Sequence, residues 1–145
     1  MGLDNGIIIR GKSYKAKNWL GDWAVKYDIP LFCNQEGRYE LAYWRKCWNI
    51  REKFAETFEN FEDEGHTRIS LDELADVRSI MKYFLIENNW QKEGGLIWAS
   101  GSIWSWSESI PQIADIIHKI DNLYEDLEET EFTDEDFEIY FYDSY

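Results

Sequence analysis

The sequence predicts an α+β fold: a small, mainly antiparallel sheet of three or more strands, with about three helices packed on one face. Three observations carry that prediction. β-Branched and aromatic runs open and close the chain, at residues 6–11 (GIIIRG) and 137–142 (FEIYFY). Helical apolar periodicity fills much of the middle. Strand-like and helix-like segments do not alternate in the regular manner of a parallel βαβ sheet. With 145 residues, no internal repeat and no low-complexity linker, a single domain over 1–145 is expected.

Taken in order, Gly6 to Gly11 reads as a short β-branched strand bounded by glycines. Residues 12–35 show no clear period. They read as an irregular stretch, long enough to be functional or to hold a further element. From about Gln35 to Phe61 the spacing turns helical: Leu41, Trp44, Trp48, Phe54, Ala55 and Phe58 fall on one side, and Arg45, Lys46, Glu52, Lys53 and Glu56 largely opposite. The acidic turn Glu62-Asp63-Glu64-Gly65 ends it. Ser70-Leu71-Asp72-Glu73 is a capping box, followed by the stripe Leu74, Val77, Met81, Phe84, Leu85 that stops at Asn88-Asn89. These two helices are expected to form an antiparallel αα-hairpin. Leu96-Ile97-Trp98-Ala99 reads as a short buried strand, broken by Ser100-Gly101-Ser102. Ser105 or Ser107 is the expected N-cap of a third helix, where Pro111 is tolerated in the first turn. Ile113, Ile116, Ile117, Ile120, Leu123 and Leu127 form its apolar face. The closing strand is ringed by acids that discourage edge pairing.

Charge is split along the chain. Residues 1–50 carry eight Lys/Arg against five Asp/Glu, net +3, which leaves −17 for the remainder of a chain whose total is −14. No basic residue follows Lys119, whereas eleven acids do. Such asymmetry bears on partners and solubility. Cys33 and Cys47 lack metal-type spacing and are expected as two reduced thiols. No secretory leader, no complete myristoylation motif and no apolar run of membrane-spanning length is present, so a cytoplasmic protein is expected. The carboxylates Glu62 and Glu64 do not make an EF-hand, because Gly65 is misplaced for its loop. His66 and His118 stand alone, with His118 expected to pack beside the third helix's stripe. No cofactor motif, metal site, nucleophile elbow or HExxH pattern appears, so a binding protein is favoured over an enzyme.

Three segments are candidate sites. Trp98 to Ser109 combines a strand end, Ser100-Gly101-Ser102, two indoles at Trp104 and Trp106, and a helix start. Exposed amides there suit an anion, and the indoles suit a base or sugar ring. Lys12, Lys15 and Lys17, with Arg10, Tyr14 and Trp19 interleaved, form a basic-aromatic patch suited to a phosphate-bearing ligand. Together these give one expectation, a nucleotide or sugar-phosphate binder. The acidic tract Glu125, Asp126, Glu128, Glu129, Glu131, Asp134, Glu135 and Asp136 gives the other: a surface that mimics nucleic acid and meets a partner with a basic face. Direct binding to duplex DNA is disfavoured by the net charge.

The opening Met1-Gly2-Leu3-Asp4, the run Tyr43-Trp44-Arg45-Lys46, the Trp98–Trp106 segment before a helix and the closing FEIYFY strand together resemble a group of small proteins of bacteriophages and prophages that begin Met-Gly-Leu-Asp. Ser100-Gly101-Ser102 is similar in position to a Gly-Ser-Thr loop of that group, whereas Asn5-Gly6 departs from its bulky Met-Tyr. The resemblance implies a small, cytoplasmic, non-structural accessory protein. On that basis the expected function is inhibition of a host nucleic-acid-handling or defence protein through the acidic surface.

Overall fold

Among the described residues four strands, β1 (Asp4–Gly11), β2 (Arg38–Arg45), β3 (His66–Ile69) and β4 (Phe137–Ser144), form one antiparallel sheet in the order β2-β1-β4-β3. The computed structural model describes residues 3–45, 48–86 and 106–145; the side chains of 48, 49, 84–86 and 106–112 lie outside that description. Among the described residues there are four α-helices, α1 (Tyr14–Lys26), α2 (Trp48–Thr57), α3 (Leu71–Ile86) and α4 (Trp106–Leu127). The protein is therefore α+β, with the core between the helices and one sheet face.

Both ends of the chain meet at the centre of the sheet. β1 and β4 pair over eight residues, from Asp4↔Ser144 to Gly11↔Phe137. Period-2 alternation sends Ile7, Ile9, Phe137, Ile139 and Phe141 into the core, and Ile8, Arg10, Glu138, Tyr140 and Tyr142 to the outer face. The closing strand is thus central. Its acids do not keep it from pairing, because each meets a partner: Glu138 meets Arg10, and Asp143 meets Asn5 and Arg51.

The helix expected over 35–61 is two elements, β2 and α2. A bulge hides the strand: Ile7 pairs with Ala42 but Ile8 with Glu40, so Leu41 is the extra residue and Leu41 and Ala42 are both buried. That breaks the alternation and leaves Leu41, Trp44 and Trp48 at helical spacing. The four-residue β3, with Ile69 and Thr67 facing inward, separates α2 from α3, so the expected direct αα-hairpin does not form.

The stretch 12–35 does hold an element, α1. Ser13 Oγ accepts from the Ala16 amide at 3.1 Å, and Ala16, Leu20, Trp23 and Ala24 are its buried face. Three lysines and Gly21 dilute that stripe in the sequence. α1 starts hard against β1: a Cβ on Gly11 would lie 2.6 Å from the Lys17 amide nitrogen, so only glycine fits. After α1 the chain bridges to the edge of β2 at Leu31↔Tyr39 and lays Phe32 on Tyr142 of the outer face, ring centres 5.2 Å apart.

The remaining helices follow their sequence signals. The capping box of α3 closes, with Glu73 N to Ser70 Oγ at 3.1 Å and Ser70 N to Glu73 Oε1 at 3.0 Å. α4 buries Ile113, Ile116, Ile120, Leu123 and Leu127, with Ile117 half-buried. Ser107 lies inside α4 and is not its cap. His118 is exposed and not packed, since it falls off the buried stripe. The strand expected at 96–99, the cap at Ser105 and Cys47 fall outside the described residues. Cys33 is exposed and free.

A buried ion pair joins these parts. The Asp143 carboxylate, fully enclosed, accepts Arg51 Nε and Nη2 (both 2.9 Å), Asn5 Nδ2 (2.7 Å) and the Glu64 amide (3.0 Å). Arg51 reaches on to Asp63 and Glu52, and its guanidinium lies over the Phe61 and Tyr145 rings. These hydrogen bonds to Asp143 hold the guanidinium pKa above its ordinary value. Replacing Arg51 by Met leaves a buried carboxylate uncompensated and is expected to cost about 3–5 kcal/mol in urea unfolding. Replacing Arg45, which pairs with Asp4 at an exposed site, is expected to cost under about 1 kcal/mol. Equal costs for the two would refute the central role of Arg51.

Candidate functional site

The eight acids of the predicted partner surface divide into two sets. Asp126, Asp134 and Asp136 serve as structural acceptors, Asp134 while itself exposed. Asp126 Oδ2 takes Trp23 Nε1 (3.1 Å) and Tyr27 OH (2.9 Å), binding α1 to α4. Asp134 Oδ1 takes the Leu71 amide at the start of α3 (2.7 Å), where a negative charge favours the helix dipole. Asp136 Oδ2 takes the Thr133 amide (2.7 Å) within a capping box. Glu125, Glu128, Glu129, Glu131 and Glu135 are exposed, and none makes a side-chain hydrogen bond or ion pair among the described residues.

Two of them, Glu128 and Glu129, each border a shallow hollow beside the end of α4. One, about 520 Å³, is lined by Leu71, Arg78, Tyr124 and Phe132, with Asp72 and Glu128 also on its wall. The other, about 450 Å³, is lined by Trp19, Trp23 and Lys26 together with Asp22, Asp126 and Glu129. Trp19 stacks on Trp23 (6.3 Å, 14°) and meets Phe132 edge-on (6.0 Å), so the aromatic lining is braced from below. The Tyr124 hydroxyl donates to the Leu71 carbonyl, and burial pushes its pKa up to about 12. The structure thus adds Trp19, Asp22, Asp72 and Tyr124 to the acidic surface. No signal along the chain could have joined residues from three helices.

The basic-aromatic patch is only partly gathered. Lys12 and Lys15 are exposed, and neither lines the cleft beside Arg10. Lys17 does, in a cleft of about 430 Å³ where the end of β1, the start of β2 and the first turns of α1 meet. Arg10, Arg38, Tyr14 and Glu36 share its wall. Sequence reasoning placed Arg10 near this patch and missed Arg38, which reaches it only through strand pairing. Ser100, Gly101, Ser102 and Trp104 lie outside the described residues, and Trp106 opens α4 with its side chain outside the description. Among the described residues no three Asp, Glu, His or Cys side chains gather as metal ligands, and no helix is long and apolar enough to cross a membrane.

Comparison with known proteins adds no relative: no family model, no curated protein and no solved structure matches the chain.

Two expectations follow from the division of the acids. Asp126→Ala deprives Trp23 and Tyr27 of their acceptor and is expected to lower stability by about 1–3 kcal/mol. Glu128→Gln or Glu129→Gln is expected to change it by less than about 0.5 kcal/mol, both read by urea denaturation. The second expectation concerns pH. The hydrogen bond from Arg10 Nε (2.6 Å) holds the Glu138 carboxyl below its ordinary value of 4.5. A carboxylate whose pKa is depressed by folding stabilises the protein at neutral pH, and that contribution is lost as pH falls through the folded pKa. Glu138→Gln is therefore expected to flatten the fall in stability below about pH 4.5, measured as chemical denaturation midpoint against pH.

Proposed function

We propose that the protein is a phage-type accessory factor that binds and blocks a host protein with a basic surface, of the nucleic-acid-handling or defence kind, through the end of α4. The observation that supports this reading is the pair of aromatic-lined hollows, each bordered by carboxylates, with Glu128 on one and Glu129 on the other. Carboxylates kept only for solubility need no such hollows. A protein interface uses such recesses to seat side chains of the partner, while the surrounding charge steers encounter, fixes orientation and selects a basic face. Lysine or arginine side chains of the partner would enter beside Trp19, stacking on its ring while Glu129 takes their charge; at the other hollow the Tyr124 ring already carries Arg78, 5.5 Å from its centre, and Glu128 supplies the contact. The resemblance to small bacteriophage proteins supports the host setting.

The test is a pull-down from bacterial lysate over a salt series, followed by affinity measurement on the captured partner. Binding is expected to weaken steadily with ionic strength, because exposed charges are screened beyond about 8 Å at 0.15 M salt. Reversing Glu128, Glu129 and Glu131 to Lys together is expected to weaken binding by about tenfold or more, roughly 1.4 kcal/mol. That loss is expected to exceed the loss from Trp19→Ala alone. A partner whose affinity ignores both salt and the triple reversal would remove the acidic surface from the explanation.

A further inference from the structure

We infer that the cleft formed by Arg10, Lys17 and Arg38 is a binding site for a ring-bearing phosphomonoester, in its simplest form a nucleoside monophosphate. The site uses none of the five glutamates invoked above and stands independently of the partner-binding reading.

Strand register carries the inference. Arg10 lies directly opposite Glu138 on one side and directly opposite Arg38 on the other, so a row of charges −, +, + crosses β4, β1 and β2 on the outer face. Like charges directly opposite across a strand pair are unfavourable. Glu138 offsets one of the two, at 2.6 Å from Arg10 Nε. The second is not offset: the Arg38 side chain is half-buried and makes no hydrogen bond or ion pair among the described residues. Two arginines set directly opposite in register beside one cleft, one of them without a side-chain partner among the described residues, are completed by an anion that bridges them, and the fork of arginine suits phosphate oxygens.

The third cation is placed by the backbone. Lys17 sits one turn into α1, which Ser13 caps and which approaches β1 so closely that Gly11 admits no side chain. Its ammonium side chain is likewise unpaired among the described residues. In a chain of net charge −14, three cations around one cleft are a local reversal of sign. The cleft, about 430 Å³, falls within the range of small-molecule sites.

Two further features select the rest of the ligand. Tyr14 lines the cleft while 79% exposed, leaving a ring face for a base to stack on. Glu36, held beside Arg38 by a turn at Gly37 with φ +82, is an acceptor suited to sugar hydroxyls or an exocyclic amine. Glu36 also disfavours added phosphates, which selects the monophosphate over the triphosphate.

The test is calorimetric titration of the full chain with AMP, GMP, CMP, UMP, ribose 5-phosphate, inorganic phosphate, ATP, adenosine and a 5′-phosphorylated oligonucleotide. Saturable binding of at least one nucleoside monophosphate is expected, tighter than ATP or inorganic phosphate, with no binding of adenosine. Arg38→Gln and Lys17→Gln are each expected to weaken it about tenfold or more, whereas Lys12→Gln and Lys15→Gln leave it unchanged. Tyr14→Ala is expected to weaken the nucleotide but not inorganic phosphate. No saturable binding of any monophosphate at millimolar concentration, or binding indifferent to Arg38→Gln, overturns the site. Equal affinity for phosphate and nucleotide overturns the ring contact, and tighter binding of the oligonucleotide overturns a free nucleotide as ligand. Because the chain is tested alone, none of these outcomes depends on the host partner.

Discussion

The enclosed carboxylate of Asp143 and the guanidinium of Arg51 are the contact through which the separate parts of this molecule meet. Asp143 belongs to β4, Asn5 to β1, Arg51 to α2 and Glu64 to the turn before β3, and the last three converge on the two carboxylate oxygens of the first. An anion taken out of water is tolerated only where hydrogen bonds replace its hydration, and here four do so. The pairing is also directional, so it fixes where α2 and the following turn sit against the sheet. A hydrophobic contact of the same area would permit sliding. Directional pairing of this kind favours one arrangement of α2 over its near alternatives.

Elsewhere the fold spends its acids as structural acceptors before any are left for binding. Asp134 serves the α3 terminus, Asp136 the turn before β4, Asp126 the α1–α4 contact, and Glu138 the Arg10 side chain. Like charge concentrated in one segment destabilises the compact state through self-repulsion. Turning some of it onto amides and indole N–H groups converts part of that repulsion into capping and cross-linking. Of the five exposed glutamates of this segment, Glu128 and Glu129 lie beside hollows supplied in part by α1 and α3.

The two proposed sites have opposite electrostatic character and different construction. The acidic end of α4 is a broad surface with shallow aromatic recesses, which suits a macromolecule. The basic cleft is small and built from strand register and a helix start, which suits a small anion. Both depend on α1: Trp19, Asp22 and Trp23 line one hollow, and Tyr14 and Lys17 line the cleft. A helix with a weak amphipathic stripe thus carries side chains to both sites, and its lysines and exposed tyrosine dilute that stripe.

Local signals of high specificity were readable without coordinates: the capping box at Ser70, the isoleucine stripe of α4, the two terminal strands, and with them the α+β class. Each rests on spacing within a few residues, which periodicity and capping chemistry govern. The errors arose where one local rule was broken by a contact made elsewhere. The Leu41 bulge exists because β2 pairs with β1, and it erased the alternation that marks a strand. α1 is a helix because its short apolar face meets Phe132 and Phe137 from the far end of the chain. The two-part charge pattern was likewise evident from composition alone. Which carboxylates face solvent, and that Arg38 stands opposite Arg10, are decisions of tertiary pairing. Strand register joins residues that the chain itself separates, and no local pattern records that register.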